Sequence, residues 1–248
     1  MAYISHLLID EEMKDVISQT GAGVESIEFS ISENLDSLRE KILAYRDRMK
    51  WMGVEDLTLH GPFLDLNPAA FDSEIQRVTK LRFAQCYEAA VELGAKKIIY
   101  HSCYYPQVYF LQGWAPRVAD FMNDFLRDRK DIQVLMENVL DPKWQPVAEV
   151  AQLVEAENFG ICLDVGHANC YSEENVCEWT RELAPYIKHL HVHDNTGQRD
   201  SHSAVGKGNI PFAEIAQILR GREDISWTVE CNSKEDVLES LKKFGEIF

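Results

Sequence analysis

The stretch Ile187–Asn209, IKHLHVHDNTGQRDSHSAVGKGN, places His189, His191 and His193 at alternate positions and follows them with Asp194, Asp200 and His202. A β-strand repeats its faces every two residues, so the three imidazoles line one side of it. Imidazole fills a core poorly unless each ring nitrogen finds a partner, so such a row points to chemistry rather than packing. Three more histidines, His60, His101 and His167, stand at or just beyond the ends of other apolar runs, as do Glu137, Asp164 and Glu230. Histidine and carboxylate together suit Zn²⁺, Mn²⁺ or Co²⁺, whereas Mg²⁺ prefers oxygen and water.

Each residue also has an ordinary reading. His60, before Gly61-Pro62, can bond a loop carbonyl, and His101 can be a satisfied core histidine. Asp164, two residues before Gly166, can hold a turn, and Asp194-Asn195 can cap one. Gly206-Lys207-Gly208 can simply reverse the chain. Glu137 or Glu230 alone at a strand end is usually a cap or an ion-pair partner. What decides between the two readings is whether the elements bring these side chains to one place.

Short apolar runs that read as strands are Tyr3–Asp10, Val24–Ser30, Asp56–His60, Lys97–His101, Ile132–Val139, Gly160–Asp164, Ile187–His193 and Ser226–Cys231. Between them, helical spacing predicts Asn34–Trp51, Asp72–Leu93, Val118–Arg129, Val147–Ala156, Ser172–Leu183 (with Ser172 as N-cap), Phe212–Arg220 and Glu235–Phe248. No linker or low-complexity tract divides the chain, so the expectation is one domain over 1–248. Regular βα alternation implies a parallel sheet. Eight strands with polar residues at their C-terminal ends favour a (β/α)8 TIM barrel over an open sheet, which would carry a glycine-rich phosphate loop. A barrel sends all the polar ends to one mouth. The carboxylates gathered there would repel one another, and a bound cation would offset that repulsion.

Composition narrows the partners. Of 248 residues, 25 are Lys or Arg and 41 are Asp or Glu, a formal net charge of −16. That field repels phosphate backbones and argues against nucleic acid as a partner. No apolar run is long enough for a bilayer, and the start MAYISHLLIDEEMKD lacks a basic leader, so the expectation is a cytoplasmic protein without a membrane partner. The six scattered cysteines form no Cys-x-x-Cys pair and read as thiols.

Seven segments, LHGPF (59–63), IIYHS (98–102), VLMENV (134–139), CLDVGHA (162–168), HLHVHDN (189–195), DSH with GKGNI (200–202 and 206–210) and TVEC (228–231), run nearly the whole chain. In these the chain resembles the xylose-isomerase-like barrel superfamily, which holds sugar and sugar-phosphate isomerases and epimerases, inosose dehydratase-like enzymes and endonuclease IV. The isomerase and epimerase branch implies one divalent metal on Glu137, Asp164, His191 and Glu230. It implies Glu137 and Glu230 as catalytic acid and base beside a metal-polarised carbonyl, and His167 as a substrate contact. His189 and His193 would then support the site or touch substrate.

Endonuclease IV implies a fuller set of up to three zinc ions, adding His60, His101, His167, Asp200 and His202. Against that branch stand the acidic charge, the short chain and Phe63, where those enzymes typically have tyrosine. The leading expectation is thus a metal-dependent isomerase or epimerase of a small sugar, sugar phosphate or polyol. The alternatives are a trinuclear-zinc phosphodiesterase and a barrel that only binds carbohydrate. Trp114, Tyr104, Tyr105 and Phe110 can stack on a sugar face, with Trp114 as the substrate candidate, or pack against a neighbouring subunit of a homo-oligomer. Lys207 and Arg199 are the basic residues expected near the site.

Overall fold

A computed structural model describes all residues, Met1–Phe248. Eight parallel strands close into a barrel in sequence order: β1 (Ala2–Ser5), β2 (Gly23–Ser26), β3 (Leu57–His60), β4 (Lys97–His101), β5 (Gln133–Glu137), β6 (Phe159–Asp164), β7 (Ile187–Val192) and β8 (Ser226–Val229). Closure through β1–β8 pairing leaves no free edge. The fold is the (β/α)8 barrel expected from the alternation.

Ten helices surround it: α1 (Asp10–Thr20), α2 (Ser32–Asp36), α3 (Leu38–Met52), α4 (Ser73–Leu93), α5 (Trp114–Leu126), α6 (Trp144–Leu153), α7 (Val165–Tyr171), α8 (Val176–Leu183), α9 (Phe212–Ile218) and α10 (Lys234–Ile247). The Asp72 carboxylate starts α4 by accepting from the amides of Glu74 and Ile75, and Gly94 stops it at φ 74°.

Four sequence expectations need correction. The first strand ends at Ser5, and α1 follows where the sequence pattern predicts no helix. Its signal is thin: Met13, Val16 and Ile17 form one narrow buried stripe, with three acids in the first turn favouring the helix dipole. The span 34–51 is two helices broken at Ser37. Helix α5 starts at Trp114, because Pro116 in a first turn lacks only an amide that has no helical partner. Ser172 ends the unforeseen α7, and Asn175 caps α8 through Cys177 N.

The apolar face of every strand packs outward against the helices in one cluster of 64 buried residues. Inside the barrel, Ile99, Leu135 and Cys162 from the adjacent strands β4, β5 and β6 form a separate small cluster. The opposite interior wall is polar, with Glu25, Thr58, His189, Ser226 and Thr228 all buried. Strand register then sets the mouth. His101 pairs with Glu137, Asp164 with His191, and His191 with Thr228, so these side chains start as neighbours on the same wall.

Candidate metal centre

At the C-terminal mouth the Glu137 carboxylate lies among four imidazoles. Oε2 is 3.4 Å from His60 Nε2 and 3.5 Å from His101 Nε2, and those two nitrogens face each other at 3.1 Å. Oε1 is 3.2 Å from His191 Nδ1 and 3.3 Å from His167 Nδ1. His191 Nδ1 also lies 3.5 Å from Glu230 Oε1 and 3.9 Å from Asp164 Oδ2. On the far side Asp200 Oδ2 stands 3.4 Å from His167 Nε2 and 3.3 Å from His202 Nε2.

The donor atoms fall into groups that lie within 4.8 Å of one another: His60, His101 and Glu137; Asp164, His191 and Glu230; and His167, His193, Asp200 and His202. Bonds of roughly 2.0–2.2 Å put neighbouring ligands about 3–3.5 Å apart in a tetrahedral or octahedral shell. Most of the spacings above have that length.

Backbone carbonyls orient three of the rings. His60 Nδ1 is 3.0 Å from Gly61 O, His167 Nδ1 is 3.0 Å from Asn138 O, and His202 Nδ1 is 2.9 Å from Glu230 O. A carbonyl only accepts, so each Nδ1 carries hydrogen and each Nε2 is turned toward a carboxylate. Metal-binding histidines are held by this kind of outer hydrogen bond. Glu137 Oε2, His191 Nδ1, His193 Nδ1 and Asp200 Oδ1 are buried with no hydrogen-bond partner, a costly arrangement that ligation would relieve. The residues therefore fit divalent ions.

Protonation follows the same pattern. Burial disfavours charge on His202, yet Asp200 and Glu230 outweigh it and raise the pKa to about 9. Burial likewise opposes charge on His60 and His167, and neighbouring carboxylates raise both. Burial opposes ionisation of Glu137, but the surrounding imidazoles hold it well below the usual carboxylate range. His101 is the exception, pushed down to about 3 by burial and by the other histidines.

Several ordinary readings turn out to coexist with the cluster. His60 does bond a loop carbonyl, and Asp164 Oδ1 accepts from His167 N at 2.7 Å, starting α7. Asp194 is a clamp rather than a donor to the cluster. It accepts from Gly206 N, Gly208 N and Ile210 N at 2.8, 2.9 and 3.2 Å, pinning the loop that carries Asp200 and His202. At Gly208 a β-carbon would overlap Asp194 and Asn195, so the motif is needed for that close approach. His202 itself sits in the left-handed region at φ 46°, its ring stacked 3.8 Å from His193.

Two of the expected substrate contacts, Trp114 and His193, are enclosed. Trp114 is 0% exposed in the main core cluster, edge-on to Tyr104, and cannot meet a ligand. His193 is equally enclosed, its Nε2 3.2 Å from Asp164 and its ring lying where a Gly166 side chain would be. Lys207 turns away to pair with Asp236 and Glu239 on α10. Phe63 does line the mouth, stacked 4.1 Å from His101, and Phe110 is 81% exposed.

His189 bonds Ser226 Oγ at 2.6 Å and Thr228 Oγ1 at 2.7 Å, so both its nitrogens are satisfied below the site. Sequence reading missed Glu25, which reaches from β2 to within 3.0 Å of His191 Nε2. The one available signal was a carboxylate amid the apolar run VESIEFS. All six cysteines are free, and no helix is long and apolar enough to cross a membrane.

The sequence pattern of the xylose isomerase-like TIM-barrel family matches residues 20–246. An uncharacterized protein of Methanocaldococcus jannaschii is 27% identical, over 88% of this chain and 79% of its own. A probable endonuclease 4 of Mesomycoplasma hyopneumoniae is 23% identical over 68% of this chain and 66% of its own. A D-tagatose 3-epimerase-like protein superposes with TM-score 0.79 at 23% identity, covering 99% of this chain and 97% of that one. A zinc chloride-soaked protein of Thermus thermophilus reaches 0.81 at 24% identity with the same coverage. At these identities the superpositions establish the fold.

Proposed function

The chain belongs to the xylose isomerase-like TIM-barrel family, and from that footing we propose that it is a metal-dependent hydrolase of small phosphate esters with three metal positions. One observation carries this reading. Besides the group on Asp164, His191 and Glu230, the mouth holds two more groups, His60–His101–Glu137 and His167–Asp200–His202, in which carbonyls turn Nε2 of His60, His167 and His202 inward. A one-ion enzyme has no need of them. Divalent ions would supply Lewis acidity toward an ester oxygen and a lowered pKa for water.

The chain's own part is positional. Glu137 directs one oxygen toward the His60–His101 group and the other toward His191, so it would serve both positions when ions are bound. Asp200 joins His167 to His202, and the Asp194 clamp keeps that loop in place. Charge supports the substrate class. With every imidazole neutral, as a ligand must be, three divalent ions outweigh the four carboxylates Glu137, Asp164, Asp200 and Glu230 and leave the mouth cationic, which welcomes a phosphate. The acidic exterior, at −16, favours a small ester over a nucleic acid strand.

The second reading is a one-metal sugar isomerase or epimerase with Glu137 and Glu230 as acid and base. The likeness to the epimerase-like fold favours it. Metal analysis of protein purified without added metal, with two assays beside it, separates the readings. Three ions per chain and hydrolysis of bis(p-nitrophenyl) phosphate that is lost in Asp200→Asn support the hydrolase. One ion per chain, with exchange of a ketose α-proton in D₂O, overturns it in favour of the epimerase.

A further inference from the structure

Glu25 is fully buried on β2, below the mouth, where its donor atoms group with those of His189 and His191. Its Oε2 accepts from Thr228 Oγ1 at 2.6 Å and from Thr58 Oγ1 at 3.3 Å. Its Oε1 lies 3.0 Å from His191 Nε2, and neither atom has an aligned hydrogen bond. The column continues downward. Thr228 Oγ1 meets His189 Nε2 at 2.7 Å, His189 Nδ1 meets Ser226 Oγ at 2.6 Å, and Lys97 Nζ donates to Ser226 Oγ and to Lys188 O, both at 2.7 Å. Lys97 and Ser226 open their strands, so this column runs the length of the barrel.

We propose that Glu25 is a positioning residue of the metal centre. Its charge beside Nε2 favours the tautomer of His191 that carries hydrogen there, which leaves Nδ1 bare toward Glu137, Asp164 and Glu230. The column beneath holds Glu25 at the right height. This rests on the reading of His191 as a metal ligand.

Two other roles fit less well. Glu25 is not itself a group that meets substrate, because one oxygen is engaged by two hydroxyls and His191 lies between the other and the mouth. Nor is it a simple counter-ion for Lys97, whose ammonium bonds Ser226 and a carbonyl instead. The ring above it is the one imidazole of the cluster with both nitrogens lacking an aligned hydrogen bond. His60, His167 and His202 are each turned by a carbonyl, and Glu25 does for His191 what those carbonyls do for the others.

The test is zinc titration of the full chain with Glu25→Gln, alongside ¹H–¹⁵N spectra of the zinc-loaded histidine rings. The wild type should show His191 protonated at Nε2 and metal-bound at Nδ1. Glu25→Gln should bind one ion of its set about 10–100-fold more weakly while the remaining ions keep their affinity. Glu25→Asp should recover part of the loss. If Glu25→Gln does not fold, Thr228→Val leaves the carboxylate but removes the shorter of its two hydroxyl bonds, and should weaken the same ion about fivefold, the worth of one hydrogen bond.

Unchanged zinc affinity in a folded Glu25→Gln or in Thr228→Val overturns the proposal, as does Nδ1 protonation of His191 in the wild type. A wild type that binds no divalent ion instead removes the function proposed above, and this inference with it.

Discussion

His189 and His191 stand two residues apart on one face of β7, both fully buried, yet they are opposite in kind. His189 has a hydroxyl on each nitrogen, from Ser226 and Thr228, and burial pushes its pKa down to about 4. His191, one strand repeat nearer the mouth, has neither nitrogen in an aligned hydrogen bond. Burial opposes its charge, but the carboxylates of Glu230, Glu25 and Glu137 outweigh that and hold it well above the ordinary imidazole range. The lower histidine is a finished piece of structure, whereas the upper one is built for something that completes it. A buried imidazole is thus classified by its partners, since residue type and burial are the same in both.

Glu137→Gln should break the upper region most severely. It removes the carboxylate shared by four imidazoles, so metal analysis should find ions missing from two positions. Turnover should be lost with those ions, because they supply the Lewis acidity and the activated water. Full occupancy in that variant would mean Glu137 does not serve both positions.

His189→Leu tests the lower region and should reverse the pattern. Leaving the Ser226 and Thr228 hydroxyls short of a partner costs about 1–3 kcal/mol of stability by denaturant titration, with metal number unchanged. Loss of an ion there would erase the distinction between the two histidines.

A smaller effect is expected from pH, and its sign differs between mouth and shaft. In the metal-free protein His202 has a pKa of about 9 against an ordinary 6.5, so its pairing with Asp200 stabilises fully below 6.5 and is lost as pH rises through 9. The proton it sheds makes room for an ion, so zinc affinity of the His167–Asp200–His202 group should climb over the same window. His189 is depressed to about 4 and stays neutral in the fold, while the unfolded chain takes up a proton below 6.5. Its contribution is therefore lost as pH falls from 6.5 to 4. Melting curves of metal-free protein across pH 4–10 would show both flanks. A flat upper flank would remove the His202–Asp200 pairing from the account.

Much of the barrel was legible beforehand, and particular residues show why. The Lys97–His101 strand ended where its apolar run met His101, and α4 was legible to within a residue from its spacing and the Gly94 stop. Such signals are local: alternation, caps and glycine punctuation act over a few residues. Helix α1 and the early start of α5 escaped because a thin stripe and a proline gave weak or contrary local signals.

The amino-acid sequence by itself determined the eightfold βα order, and with it the end of the barrel at which His60, His101, Glu137, Asp164, His191 and Glu230 emerge. Strand parity says which wall a side chain faces, but not its height or what stands across the interior. Those depend on register and closure. Only the closed barrel sets Glu25 against Thr228, 203 residues away, and beneath His191. Only the folded loops bring Gly61, Asn138 and Glu230 carbonyls to three imidazoles and enclose Trp114 in the core. A ligand differs from a structural histidine by partners distant in sequence, and those distances are set by tertiary packing.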